Sequence, residues 1–156
     1  MKAIMTSLLI LTLFSKTFGQ ETTSLIGKWK TIEVNAENFS ITRNDSIVFP
    51  EKWKPRNKIY LQDRSAHLRT TYSDNIFIFT REGNFQLYRN ENPRTIIFDG
   101  KFETQTENKI LFNVKNIAKI DMETTAEYYF KNGELYLKMY AENNGPINYI
   151  LTKVDN

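Results

Sequence analysis

Residues 125–140 read Thr125-Ala126-Glu127-Tyr128-Tyr129-Phe130-Lys131-Asn132-Gly133-Glu134-Leu135-Tyr136-Leu137-Lys138-Met139-Tyr140. Asn132-Gly133 stands between two runs of aromatic and aliphatic residues. Both turn residues tolerate positive φ, which a two-residue type I′ turn requires, so this pair is the strongest hairpin signal in the chain. Before it, Tyr128 and Phe130 fall on one face. After it, Leu135, Leu137 and Met139 do the same. A repeat of two is the period of a strand. The stretch therefore predicts two antiparallel strands that share an apolar face.

The pattern continues on both sides. Upstream, Asn75 to Arg81 is strand-like and Glu82-Gly83 reads as a tight turn. In Asn84 to Arg89, Phe85 and Leu87 share one face while Gln86 and Tyr88 share the other. Asn92-Pro93 breaks that run, and Arg94 to Phe98 resumes it. Asp99-Gly100 reads as a further turn before Lys101 to Gln105. Glu107-Asn108 turns the chain into Lys109 to Lys115, where Ile110, Phe112 and Val114 alternate with Lys109, Leu111 and Asn113. Downstream, Asn143-Asn144-Gly145-Pro146 turns the chain into Ile147 to Val154.

Near the start, Leu25 to Val34 reads as strand one. Trp29 is out of phase with Ile32 and Val34, which points to a bulge or a two-sided strand. Residues 35–72 are irregular, with strand-like pieces at Ser46 to Phe49, Lys58 to Gln62 and His67 to Tyr72. A long segment of that kind in a small domain is expected to be functional, such as a lid, or else mobile. The whole predicts an all-β fold, an antiparallel meander barrel of about eight strands, because closure removes the unpaired edges of a sheet.

Composition agrees. Aromatic residues make up 13% of the chain, with eleven Phe and eight Tyr, and such residues pack well on a pleated surface. The first 19 residues read as a signal peptide. Lys2 gives a positive start, Ile4 to Phe14 is nearly all apolar, and small Gly19 precedes the expected cleavage before Gln20. That apolar run is about half the roughly 20 residues that span a bilayer. Residues 20–156 are then the barrel domain, with no membrane span after cleavage and a periplasmic or extracellular destination. The leader removes Lys2 and Lys16, so the net charge of +3 falls to +1. Such a charge gives no case for nucleic acid as a partner. Cysteine is absent, which excludes disulfides, thiolate chemistry and cysteine metal sites.

Gly27-Lys28-Trp29, on the first strand soon after the leader, resembles the lipocalin signature. The run Trp29-Lys30-Thr31, the hairpin Phe79-Thr80-Arg81-Glu82-Gly83-Asn84-Phe85 and the closing Tyr149-Ile150-Leu151-Thr152-Lys153-Val154 are similar to segments of the small bacterial lipocalin-like domains. The likeness covers residues 25–154. Disulfides of many animal members have no counterpart here. The resemblance implies a barrel closed at one end by Trp29, with Gly27 beside it and Lys153 over the indole. It also implies an open end and an interior suited to a small hydrophobic molecule.

Chemistry-bearing groups are few. His67 is the lone histidine, so a Ser–His–acid triad or a metal site of paired histidines has little to draw on. Asp121 and Glu123, two apart, would share a strand face; Asp63, Asp74, Glu103 and Glu127 are looser acidic candidates. All read best as solvated charges. No cofactor, metal site or catalytic residue is assigned. Arg81, Arg89 and Arg94 flank one hairpin and are the candidates for holding a carboxylate or phosphate head group. Phe85, Leu87, Phe102, Phe112, Tyr128, Phe130 and Leu137 are the candidates for a cavity lining, and the same residues could equally fill a packed core. Binding of a small apolar ligand is the leading expectation, with no enzyme activity. The alternative is a filled barrel that meets a protein or glycan.

Overall fold

A computed structural model describes residues 25–53, 58–89, 93–105, 108–141 and 145–154. The expected leader and its cleavage point lie outside these residues. The elements are β1 (Gly27–Ala36), β2 (Phe39–Ile41), β3 (Ile47–Val48), a short 3-10 turn (Glu51–Trp53), helix α1 (Lys58–Tyr72), β4 (Asn75–Phe79), β5 (Asn84–Arg89), β6 (Thr95–Gln105), β7 (Lys109–Asn116), β8 (Asp121–Lys131), β9 (Glu134–Ala141) and β10 (Gly145–Val154).

The expected all-β barrel is present. Strands β4 to β10 pair in chain order, all antiparallel, and β1 joins β4 on one side and β10 on the other. Eight strands close the ring. The small β2–β3 hairpin extends the free edge of β1, where Val34 pairs with Ile41. The turn at Asn132-Gly133 has φ of 53° and 79°, the left-handed pair that a type I′ turn needs. Tyr128 pairs with Leu137 and Phe130 with Leu135 across it.

The phase change in β1 is a bulge. Thr31 pairs with Leu151 but Glu33 with Ile150, so Ile32 is the extra residue. Trp29 and Thr31 point inward before it and Val34 points inward after it. Without the extra residue, Val34 would face solvent.

The chain departs from the expected pattern at two places. Asp99-Gly100 is not a turn: β6 runs straight through it, with Gly100 opposite Val114. A Cβ at Gly100 would lie 2.3 Å from the Asn113 carbonyl oxygen. This glycine serves the close approach of β7, which a single sequence cannot distinguish from a turn. The second place is α1. Lys58 to Gln62 and His67 to Tyr72 are one continuous helix, not two strands. Thr70-Thr71-Tyr72 has strand-favouring chemistry, yet both threonine hydroxyls donate to the carbonyls four residues back, Ala66 at 3.0 Å and His67 at 2.8 Å. Leu68, four residues before Tyr72, is buried against the barrel. The helix ends where Asp74 turns to φ 58°, and the Ser73 amide bonds back to the Arg69 carbonyl.

Inside the barrel the core is aromatic at one end. Trp29, Phe79, Phe85, Phe102 and Phe112 are all at most 5% exposed. Phe79 meets Phe102 edge-on at 5.2 Å, and Phe85 lies 4.5 Å from Phe112. Trp29 packs 5.8 Å from Phe130 and donates its indole N–H to the Leu25 carbonyl at 2.9 Å. Lys153, paired directly with Trp29 across β1 and β10, places its ammonium 5.5 Å from the indole. Gly27 leaves the room for that lysine: a Cβ there would stand 3.0 Å from Lys153 Cε. These three residues lie together at this end of the barrel.

Candidate functional site

The opposite end is hollow. The ends of the strands at Asn75, Arg89, Ile97, Val114, Met122, Met139 and Ile147 surround a cavity of about 260 Å³. Phe85, Leu87 and Phe112 form its floor, where the aromatic core stops. Its walls combine aliphatic and thioether side chains with the rings of Phe98, Tyr140 and Tyr149. The last turn of α1 completes them: Thr71 and Tyr72 reach the cavity from the helix, while Tyr72 packs 5.1 Å from Phe39 of the β2–β3 hairpin. From the irregular region of the sequence, the last turn of α1 thus stands at the mouth with Phe39 packed behind it.

Polar groups gather at the rim. Tyr149 and Tyr72 both face the cavity. Burial pushes the Tyr149 hydroxyl far above the ordinary phenol range, and nearby Tyr72 adds to the effect. Burial raises Tyr72 as well, with Arg64 partly opposing it. Both phenols therefore stay neutral at any ordinary pH and can act as hydrogen-bond donors. Asn75, 1% exposed, ties helix to strand: its Nδ2 donates to the Thr71 carbonyl at 3.0 Å, and its own carbonyl accepts from the Thr31 hydroxyl at 3.1 Å. Asn75 Oδ1 and Arg89 Nε are buried without a hydrogen-bond partner among the described residues.

The sequence candidates divide by position. Phe85, Leu87 and Phe112 line the cavity. Phe102, Tyr128, Phe130 and Leu137 also point into the barrel, but they belong to the packed core and not to the cavity wall. Of the three arginines, Arg89 stands at the mouth. Arg94 lies over the Tyr88 ring at 5.1 Å. Arg81 sits in the β4–β5 turn at the closed end, so the three do not form one site. His67 is exposed on α1. Asp121 is exposed beside Lys115 at 3.6 Å, and Glu123 reaches the cavity rim. Among the described residues no group of three or more His, Cys, Asp or Glu side chains is placed to hold a metal ion.

Sequence reasoning missed Asn75, Tyr72 and Tyr149. Asn75 looked like an ordinary strand start after a turn. Only the pairing of β4 with β5 sets it opposite Arg89.

Fold and cavity define the class: an eight-stranded antiparallel barrel, plugged at one end and hollow at the other. No protein-family model matches the chain, and no curated protein matches it.

Proposed function

We propose that this protein is an exported, lipocalin-like barrel that takes a small hydrophobic molecule into its hollow end, with α1 as the lid. The cavity is the observation that carries this reading. An engineered apolar cavity of about 150 Å³ already takes up benzene, and 260 Å³ has room for a longer molecule. It falls just below the roughly 300–1,000 Å³ of drug-sized sites, so the ligand is small. The stack of Lys153 on Trp29 supports the likeness to lipocalin-like domains. Export rests on the leader-like residues 1–19.

The test is native mass spectrometry with octan-1-ol as the probe. One bound molecule per chain is expected. Val114 is 4% exposed and lines the cavity, so Val114→Phe should fill that space, abolish uptake and leave the melting temperature unchanged or raised. Uptake by Val114→Phe equal to that of the parent would place the probe elsewhere and overturn the reading.

One observation favours a second reading, a module that meets a glycan or another protein. Tyr129 and Tyr136 stack at 4.7 Å and 12° on the outer face of β8 and β9, and Tyr129 is 52% exposed. Glycan-array binding that is lost in Tyr129→Ala and kept in Val114→Phe would favour that face over the cavity.

A further inference from the structure

Two polar atoms at the cavity mouth have partners nowhere among the described residues. Asn75 and Arg89 are direct cross-strand partners at the end of the β4–β5 pair. Residues so placed point to the same face, with Cβ atoms about 4.5–5.5 Å apart. Both side chains line the cavity. Asn75 Oδ1 and Arg89 Nε are buried and unbonded, and native proteins seldom leave such groups without a role. The amide of Asn75 is held in its orientation. Its Nδ2 donates to the Thr71 carbonyl, and turning it over would set oxygen against oxygen. Asn75 Oδ1, an acceptor, and Arg89 Nε, a charged donor, therefore lie in the wall beside the cavity, each covered by neighbouring atoms that a ligand must push aside.

We infer that Asn75 and Arg89 form a head-group subsite, and that its ligand is a small apolar acid with a hydrogen-bond donor beside its carboxylate. The inference rests on the cavity-binding reading above. A carboxylate oxygen accepts from the Arg89 Nε–H, a charge-assisted bond. A neighbouring hydroxyl or amide N–H donates to Asn75 Oδ1. The tail runs along Val114, Met122 and Met139, which line the same space. A plain carboxylate satisfies Arg89 alone and brings a second acceptor toward Asn75 Oδ1. A plain alcohol gives up the charge. Hydroxy acids and N-acyl amino acids both carry the required pair of groups.

Titration calorimetry near neutral pH tests this with four probes: 3-hydroxyoctanoate, N-hexanoylglycine, octanoate and octan-1-ol. At least one of the first two is expected to bind about tenfold or more tightly than octanoate, and octanoate more tightly than octan-1-ol. In Arg89→Leu the ratio of acid affinity to octan-1-ol affinity should fall to about one or below. Should that variant fail to fold, the order of the four probes on the unaltered protein still decides. Equal affinity for all four, or octanoate binding tightest, overturns the head-group assignment and leaves cavity binding standing. Failure of every probe to bind, octan-1-ol included, brings down both.

Discussion

The two ends of this barrel are made by the same strands and packed in opposite ways. At the closed end, inward positions carry Trp29, Phe79, Phe102 and Phe130, and rings meet at 5.2–5.8 Å. At the mouth, inward positions on the same strands carry Asn75, Arg89, Val114, Met122 and Met139, and a space of about 260 Å³ lies between them. A ring of eight strands is just wide enough to be filled by side chains or to hold one small molecule, and at the mouth Val114 and the two methionines leave space beside the rings of Phe98 and Tyr149. Meeting requirements also differ. The closed end satisfies its one buried indole N–H internally, whereas the mouth leaves a carboxamide oxygen and a guanidinium N–H without partners. One end is therefore tightly packed, and the other gives up packing and hydrogen bonds around an open space.

That contrast can be attacked by mutation. The largest effect should come from Phe79→Ala, because Phe79 is 1% exposed and touches Phe85, Phe102 and Phe112. Truncating a core aromatic costs about 3–5 kcal/mol, read as a fall in the urea midpoint. Gly100→Ala should follow, at about 1–3 kcal/mol, the usual cost of overpacking. Its added methyl meets backbone atoms of β7 at 2.3 and 2.7 Å, which cannot move aside as a side-chain tip could. A neutral Gly100→Ala would mean that β6 and β7 do not approach this closely at Gly100.

Met122→Ala should cost only about 1 kcal/mol, below the ~2–5 kcal/mol of a fully enclosed methionine. Met122 already borders open space, so its loss enlarges a cavity and does not create one. A cost equal to that of Phe79→Ala would mean that the mouth is packed after all. The smallest effect belongs to Arg43→Ala. Arg43 grips Glu134 at 2.6 and 2.8 Å with Glu33 at 3.4 Å, linking the β2–β3 loop to β9, but the pair is exposed and such pairs contribute little. The Arg43 hydrogen bond holds the Glu134 carboxyl below its ordinary range. A depressed folded-state acidity stabilises above the unfolded value and fades as pH falls through the folded one. The difference between parent and Arg43→Ala in urea melts should therefore shrink toward acidic pH; growth on acidification would be inconsistent with this pairing.

Local chemistry made much of the barrel legible. Asn132-Gly133 has one common use, and the period-2 runs at Phe85–Leu87, Ile110–Val114 and Leu135–Met139 mark inward faces without knowledge of their partners. Even the bulge in β1 showed, as a slip of phase between Trp29 and Val34. Local chemistry misled at Asp99-Gly100, where the glycine answers to a neighbouring strand, and at residues 58–72, where threonine hydroxyls bond back along a helix whose sequence has no clear apolar stripe. Of the candidate site, Arg89 was readable as a charge beside a hairpin, but Arg81 and Arg94 looked the same.

By itself the sequence determined that this chain folds as antiparallel strands, which residues turn inward, and where several of its turns lie, because those properties depend on neighbours within a few positions. Tertiary structure decided which inward residues pack and which enclose space, that α1 stands at the mouth, and that Asn75 comes to face the same cavity as Arg89. Those outcomes depend on register around a closed ring, where residues far apart in the chain become adjacent, and no window of sequence contains that information.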